Sequence, residues 1–321
     1  MEITFKFQRG GTRAQPEYVD YQIDVPPEMT VFDALVAVRE TQDGTLAFRG
    51  NCSVGFCGDC TLSVNGAQKV TCLINVGKTQ KEGVITVQPI RYAPVEKDVM
   101  HDMRKFLWDK VDVFARGVVP NGGHPVTDEE LRPVRKAMRC TTCGLCDEGC
   151  TVIDVNLDFY GPAALTKLYR FAFDPRDGIT SERLREGSEV HGIWDCVHCW
   201  EATEHCPFGL EPTHLIMDTR DRAVAHGIKS GYGNKMLERH YDAFEESISR
   251  KGWLDERSVA LQTYGGLIKG GIKTLPLGLR ALRKGKATLK PHYKRPGAEH
   301  IRKIFDRYNR DNAGLRKEKQ R

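Results

Sequence analysis

Along the first 90 or so residues, apolar side chains recur at every second position. Ile3, Phe5 and Phe7 alternate with polar neighbours, and so do Val19, Tyr21, Ile23 and Val25, the period of strands with one face in a core and the other in water. Thr30, with Asp33 three residues on, reads as the N-cap of a short helix that buries Phe32, Leu35, Val36 and Val38. Asn65-Gly66 inside "TLSVNGAQKVTC" predicts a tight hairpin between two short strands, and "GVITVQP" a last strand near Gln88. After an extended connector, "RYAPVEKDV", the spacing becomes helical over Val99 to about Val113, Asp128 to Met138, Pro162 to Phe173 and Pro212 to about Ala225, with Thr127 an N-cap for the second of these. From about Ser230 a third region has a mixed helical pattern with glycine-rich "YGGLIKGGIKTLPLG" at its centre.

Length and charge refine this division. A chain of 321 residues is long enough for about two or three domains with real cores, and its 40% hydrophobic content and negative mean hydropathy describe a globular protein. No apolar run approaches the ~18–20 residues of a membrane span, and no charged-then-apolar leader opens the chain, so it is expected to start at Met1 and to stay in the cytoplasm. The net charge of +5 conceals an asymmetry: from Lys269 onward 17 Lys or Arg face four acids, a balance of +13, which leaves −8 before it. Such a basic tail suits an anionic surface or an acidic partner, and a solvated surface is the plain alternative. Nucleic acid is disfavoured, because the basic residues come without a matching fold motif or stacking aromatics. No Ser/His/Asp constellation, phosphate loop or carboxylate pair marks the chain as catalytic alone, and His101 and His214 read as structural.

Cysteine usage decides the class of chemistry. All 11 cysteines fall in three clusters, and thiols two and three residues apart in a long cytosolic chain point to metal rather than disulfides. Cys52-x4-Cys57-x2-Cys60, with Cys72 beyond the Asn65-Gly66 turn, has the spacing of a plant-type [2Fe–2S] site, in which Gly55 and Gly58 relieve crowding where the loop bends around the cluster. Zinc is the competing reading, but zinc knuckles favour paired C-x2-C units. Cys140-x2-Cys143-x2-Cys146-x3-Cys150 is a complete bacterial ferredoxin run, with Thr151 in place of the usual proline, whereas "CVHCWEATEHCP" supplies Cys196, Cys199 and Cys206 but has Ala202 where a further ligand would stand.

In two-cluster ferredoxins the fourth cysteine of each run crosses to the other cluster. Cys140, Cys143, Cys146 and Cys206 are then expected to hold [4Fe–4S], and Cys150, Cys196 and Cys199 a site with three thiolates. Such a site tends to hold [3Fe–4S]; the alternative is a second [4Fe–4S] completed by a non-cysteine ligand, for which His198, Glu201, Thr203 and His205 lie close enough in sequence.

The ordered set of three motifs, with "FRGNCSVGFCGDC", "APVEKDVMHDM" and "GPAALTKLYRFAFDPRD", resembles the iron–sulfur subunit of succinate dehydrogenase and fumarate reductase over about residues 1 to 225. The resemblance implies an α+β architecture: a plant-type ferredoxin β-grasp domain over 1–95, an all-α bacterial-ferredoxin-like domain over 96–229 with two cubane-type sites, and a basic helical C-terminal extension over 230–321. It also implies a non-catalytic electron-transfer subunit beside an FAD-containing dehydrogenase subunit, relaying electrons to quinone or a membrane-associated partner. The chain would then lie on the inner face of the cytoplasmic membrane through its partners, without a span of its own.

Two details depart from common members of that family, which write the last motif as C-x5-C-x3-C-P and place histidine after its first cysteine. Here Cys199 is kept, the third position is Ala202, and Val197 replaces the histidine. Those members also follow the middle run with Pro-Ser, where this chain has "CTVIDVN", so their quinone site does not transfer residue by residue. The stretches "WDCVHCWEATEHCPFG" and "ALRKGKATLKPHYKRPGAEHIRKIF" look instead like the small iron–sulfur subunit of heterodisulfide reductase. That likeness implies docking to a cysteine-rich partner of that second family or to a membrane surface, and makes a heterodisulfide-reductase-like complex the alternative function. Between Tyr264 and Lys286, Leu and Ile alternate with Lys and Arg as in an interfacial helix, although the glycines and Pro276 speak against a long continuous one and plain helical packing is the alternative.

Overall fold

The computed structural model describes residues 1–123, 125–228, 235–286 and 294–311. The expected boundary at 229/230, and the parts of the basic tail at 287–293 and 312–321, lie outside these described residues. By internal contacts the chain divides into two compact units, Met1–Arg183 with His191–Thr219, and Leu184–Val190 with Arg220–Arg321.

The first unit opens with a five-stranded sheet built from β1 (Glu2–Gly11), β2 (Pro16–Asp24), β3 (Thr61–Val64), β4 (Ala67–Val70) and β5 (Val84–Gln88), in the order β2-β1-β5-β3-β4. β1 and β5 run parallel while the other pairs are antiparallel. Alternation puts Ile3, Phe5 and Phe7 on one face, where they share a core with Leu62, Val64, Ile85 and Val87 and with Val31, Leu35 and Val38 of helix α1 (Val31–Thr41). The Thr30 hydroxyl accepts the Asp33 N–H at 3.0 Å and so caps α1 as its sequence predicts. Asn65 and Gly66 both have positive φ, 50° and 82°, which closes the two-residue hairpin between β3 and β4 with the twist that adjoining strands need. A short helix α2 (Val76–Thr79) leads into β5.

The connector behaves differently from its reading as an extended linker before a helix at Val99. Val95–Lys97 (β6) and Met100–His101 (β7) form a small hairpin, and helical structure begins only at a wide π-type turn over Arg104–Trp108 that continues into α3 (Asp109–Phe114). Tertiary contacts override the local pattern here: Asp98 turns at φ 54°, and its carboxylate takes the Ala47 N–H at 2.9 Å and the Arg9 guanidinium at 3.3 Å, anchoring the hairpin to the sheet domain.

Beyond it come α4 (Asp128–Met138), α5 (Leu145–Glu148), α6 (Gly161–Ala172), α7 (Thr180–Gly187), α8 (Glu201–Glu204) and α9 (Pro212–Ala225). Thr127 and Glu130 close a reciprocal capping box on α4, and Pro162 sits in the first turn of α6, where its missing N–H costs nothing. The second unit carries α10 (Lys235–Lys251), α11 (Glu256–Thr263), α12 (Gly266–Arg283) and α13 (Ala298–Asp311), with α11 packed between α10 and α12 and α13 laid along α10. α11 starts at Asp255, whose carboxylate caps the Ser258 N–H and whose own N–H donates to Ser247 Oγ at 2.8 Å. Among the described residues no helix is long and apolar enough to cross a membrane.

His101 is fully buried with Nδ1 3.2 Å from the Val99 carbonyl, and burial holds its pKa below the usual 6.5. The folded chain therefore refuses a proton that the unfolded chain accepts, so stability is complete above about pH 6.5 and falls as the solution is acidified below it. Thermal unfolding at a series of pH values should show a steeper loss of Tm below that point in the parent than in His101→Gln, which has no proton to gain.

Candidate metal centres

The first centre is a loop wrapped between α1 and β3. Ser53, Gly55 and Gly58 all adopt positive φ, 56°, 73° and 74°, so the backbone turns its amides toward sulfur. Phe56 and Cys57 each donate an N–H to Cys52 Sγ at 3.2 Å, and Gly55 donates one to Cys72 Sγ, also at 3.2 Å. Cys72 arrives from the far end of the β3–β4 hairpin and is fixed next to Cys60, whose carbonyl accepts both the Thr71 N–H (3.1 Å) and hydroxyl (2.8 Å). The thiols differ electrically. Backbone N–H groups, that of Val54 foremost, pull Cys52 down to about 7, whereas burial pushes Cys72 up to about 12.

Cys140, Cys143, Cys146 and Cys206 come together from two loops 60 or more residues apart in sequence and line one cavity, together with Thr142, Ala163, Phe208 and Leu210. Gly144, at φ 79°, turns the chain between Cys143 and α5, and the Leu210 N–H points at Cys206 Sγ at 3.5 Å. Burial raises Cys143 to about 12 and Cys146 well above the usual thiol value. Cys150 belongs elsewhere: its charged neighbours are Asp147 and Cys196, and the hydroxyl of the next residue, Thr151, donates to Cys199 Sγ at 3.2 Å. The structure thus brings the fourth thiol of the middle run toward the last run, and Cys206 of the last run toward the middle one.

Ala202 stands buried in α8 at the position of the absent cysteine. Among the non-cysteine candidates, Thr203 Oγ1 accepts the Thr213 N–H at 3.3 Å. His205 Nδ1 donates to the Glu201 carbonyl at 2.8 Å, and its ring lies flat enough on Gly149 that a Cβ there would come within 2.4 Å of it. The Glu201 carboxylate is half exposed, and His198 adopts a left-handed φ of 57° in the loop between Cys196 and Cys199.

Among the described residues no three Cys, His, Asp or Glu side chains close on a point as ligands of a single ion would, and Cys140, Cys143, Cys146 and Cys206 line a cavity. Soft sulfur donors in tight loops with N–H groups aimed at them are the chemistry of iron–sulfur ligation. In that sense the residues fit the groups that their spacing predicts.

Two acids in "CDEGC" escaped attention in the sequence, since adjacent Asp and Glu in a loop ordinarily face water. Both are fully buried. Asp147 accepts the Ala163 N–H at 2.8 Å, in a niche that only Gly161 (φ 85°) leaves open, and burial raises it to about 7. Glu148 accepts the N–H groups of Arg91 (2.7 Å) and Tyr92 (3.0 Å), so a carboxylate from the middle cysteine run binds the end of the sheet domain. A second contact joins the same parts: a Cβ on Gly58 would lie 2.8 Å from Cys143 Cβ, so the loop of the first centre rests directly on a cysteine of the second.

Comparison with known proteins follows these features. The 2Fe-2S iron-sulfur cluster binding domain matches residues 3–108 and the 4Fe-4S dicluster domain residues 136–210. The fumarate reductase iron-sulfur subunit of Mycobacterium tuberculosis is 29% identical over 221 residues, 67% of this chain and 89% of that one. The succinate dehydrogenase iron-sulfur subunit of Paracoccus denitrificans is 31% identical over 202 residues, 60% of this chain and 76% of that one. Among solved structures, a chain of the Mycobacterium smegmatis Sdh1 complex in the apo form shares the fold with a TM-score of 0.61 at 24% identity, over 70% of this chain and 95% of that one.

Glu148→Ala strands two partly buried backbone N–H groups and should lower stability by roughly 1–3 kcal/mol in anaerobic urea unfolding, with Glu148→Gln costing less because one acceptor oxygen remains. Gly58→Ala meets both a positive φ and the Cys143 side chain and should cost about 1–3 kcal/mol in the same assay, whereas Gly66→Ala, with open space around its Cβ, carries only the backbone strain.

Proposed function

This chain belongs to the family of succinate dehydrogenase and fumarate reductase iron–sulfur subunits, and from that premise we propose how its eleven thiols divide the work of an electron-transfer subunit. Cys52, Cys57, Cys60 and Cys72 would hold [2Fe–2S], Cys140, Cys143, Cys146 and Cys206 [4Fe–4S], and Cys150, Cys196 and Cys199 [3Fe–4S]. When bound, the three clusters supply one-electron carriers between an FAD-containing dehydrogenase subunit and quinone or a membrane-associated partner. The sheet portion acts as the β-grasp ferredoxin domain (1–95), the helical portion (96–229) as the two-cluster ferredoxin domain, and residues 230–321 as a basic extension that meets a membrane anchor or a heterodisulfide-reductase-like cysteine-rich subunit at the inner face of the membrane.

The single observation that carries this reading is the crossover: Cys206 faces the cavity of the middle run while Cys150 faces Cys196 and the Thr151–Cys199 contact. The protein's own contribution is positional and dielectric. Amide N–H groups offset sulfur charge at the first centre, burial dries the second, and the Gly58–Cys143 contact keeps the distance between them short. Val54 and Phe56, 76% and 79% exposed on the tip of the first loop, suit the apolar part of a contact with the flavoprotein partner.

The third centre gives the test. In the anaerobically purified chain, EPR of the oxidised state should show the [3Fe–4S] signal, and Ala202→Cys, which restores the missing thiol, should abolish it and add a second [4Fe–4S] signal on reduction with dithionite. Two cubane signals in the parent would assign a non-cysteine ligand instead.

A further inference from the structure

Helix α12 is continuous from Gly266 to Arg283 despite Pro276 and its glycines, and spans about 27 Å at 1.5 Å per residue. One side is tied to the second unit at Gly270, where a Cβ would come within 2.2 Å of the Leu261 carbonyl oxygen, so the helix lies hard against α11. The other side is apolar. Ile268, Ile272, Leu275, Leu279 and Leu282 recur at alternating steps of four and three, which gathers them on one stripe at 100° per residue, and Ile268 and Ile272 are 79% and 71% exposed. Lys269, Lys273 and Arg280 run along the flank of that stripe, with Arg283 and Lys284 at its end. Between Glu256 and Glu299 the sequence holds no Asp or Glu, so this whole stretch presents positive charge only.

We infer that α12 lies in the surface of an anionic lipid bilayer, with the Ile268–Leu282 stripe sunk among the acyl chains and the flanking Lys and Arg reaching phosphate-bearing headgroups. Charge and shape both select this occupant. A helical stripe beside a purely cationic flank, on a helix too short and too charged to span, is the pattern of an interfacial helix. A partner helix would use the same stripe, but a seam of two heptads is below the three to four that coiled coils sustain, and Gly271, Pro276 and Gly278 weaken it further. Adsorption to lipid relieves the exposed stripe without asking for a longer seam. The inference rests on α12 alone and requires none of the cluster assignments.

The test is flotation of the full-length chain, with its clusters reconstituted anaerobically, on vesicles of phosphatidylcholine alone or with added phosphatidylglycerol. The parent should float with the anionic vesicles, release as salt rises, and bind neutral vesicles far more weakly. Ile272→Glu with Leu275→Glu should abolish flotation, and Lys269→Gln, Lys273→Gln and Arg280→Gln should each weaken binding to anionic vesicles about five-fold. All these side chains face solvent, and unchanged iron content and visible absorption in each variant show that lost flotation reads the helix and not the clusters. Parent protein that stays at the bottom of the gradient overturns the inference. So does a dimer in light scattering that dissolves in the Ile272→Glu, Leu275→Glu variant while vesicle binding is absent, since the stripe would then be a contact between copies.

Discussion

Buried sulfur is the constraint on which the rest of this structure turns. A thiolate removed from water must be compensated by a cation or by donors aimed at it, and the three cysteine clusters answer that demand in different proportions. At Cys52 the backbone supplies the compensation, with amide donors numerous enough to draw the thiol down to about 7. At Cys143 and Cys146 burial dominates, and the same thiols on their own would stay protonated, so metal binding there must drive out protons as it proceeds. The loops with left-handed residues, the niche that Gly161 leaves for Asp147 and the crossing of Cys150 and Cys206 are the local means of meeting that demand.

The same packing joins two parts of the chain. Glu148 ties the middle cysteine run to Arg91 and Tyr92, and Gly58 brings the first loop against Cys143. Both contacts involve a residue adjacent to or within a cysteine motif, so the elements that bind sulfur also set the spacing between centres. For a protein whose work is positional, stability and function then rest on the same few contacts.

Much of this was legible in the sequence because it depends on local rules. Strand alternation in β1, the Thr30 and Thr127 caps and the Asn65-Gly66 turn act over a few residues and appear where their patterns place them, whereas in β2 Tyr21 is buried but Val19 is 43% exposed. What the sequence did not show depends on partners distant in the chain. Val95 to His101 pairs as a hairpin because Asp98 finds Ala47 and Arg9; Asp147 and Glu148 look like solvated acids until the sheet domain covers them; and α12 stays helical through Pro276, against the weight of its own composition. The parallel pairing of β1 with β5 belongs to the same class, since no turn connects them. Cysteine spacing names the metal class, and the crossover rule of two-cluster ferredoxins already assigns Cys206 to the middle run and Cys150 to the last.

The most direct measurement is the iron and acid-labile sulfide content of the anaerobically purified chain, with Mössbauer spectroscopy to sort the iron by cluster. Eleven thiols divided four, four and three predict about nine iron and ten sulfide per chain in three spectroscopic environments. Zinc bound in place of iron, or iron sufficient for only one cluster in the fully loaded protein, would contradict that division and the electron-transfer role built on it.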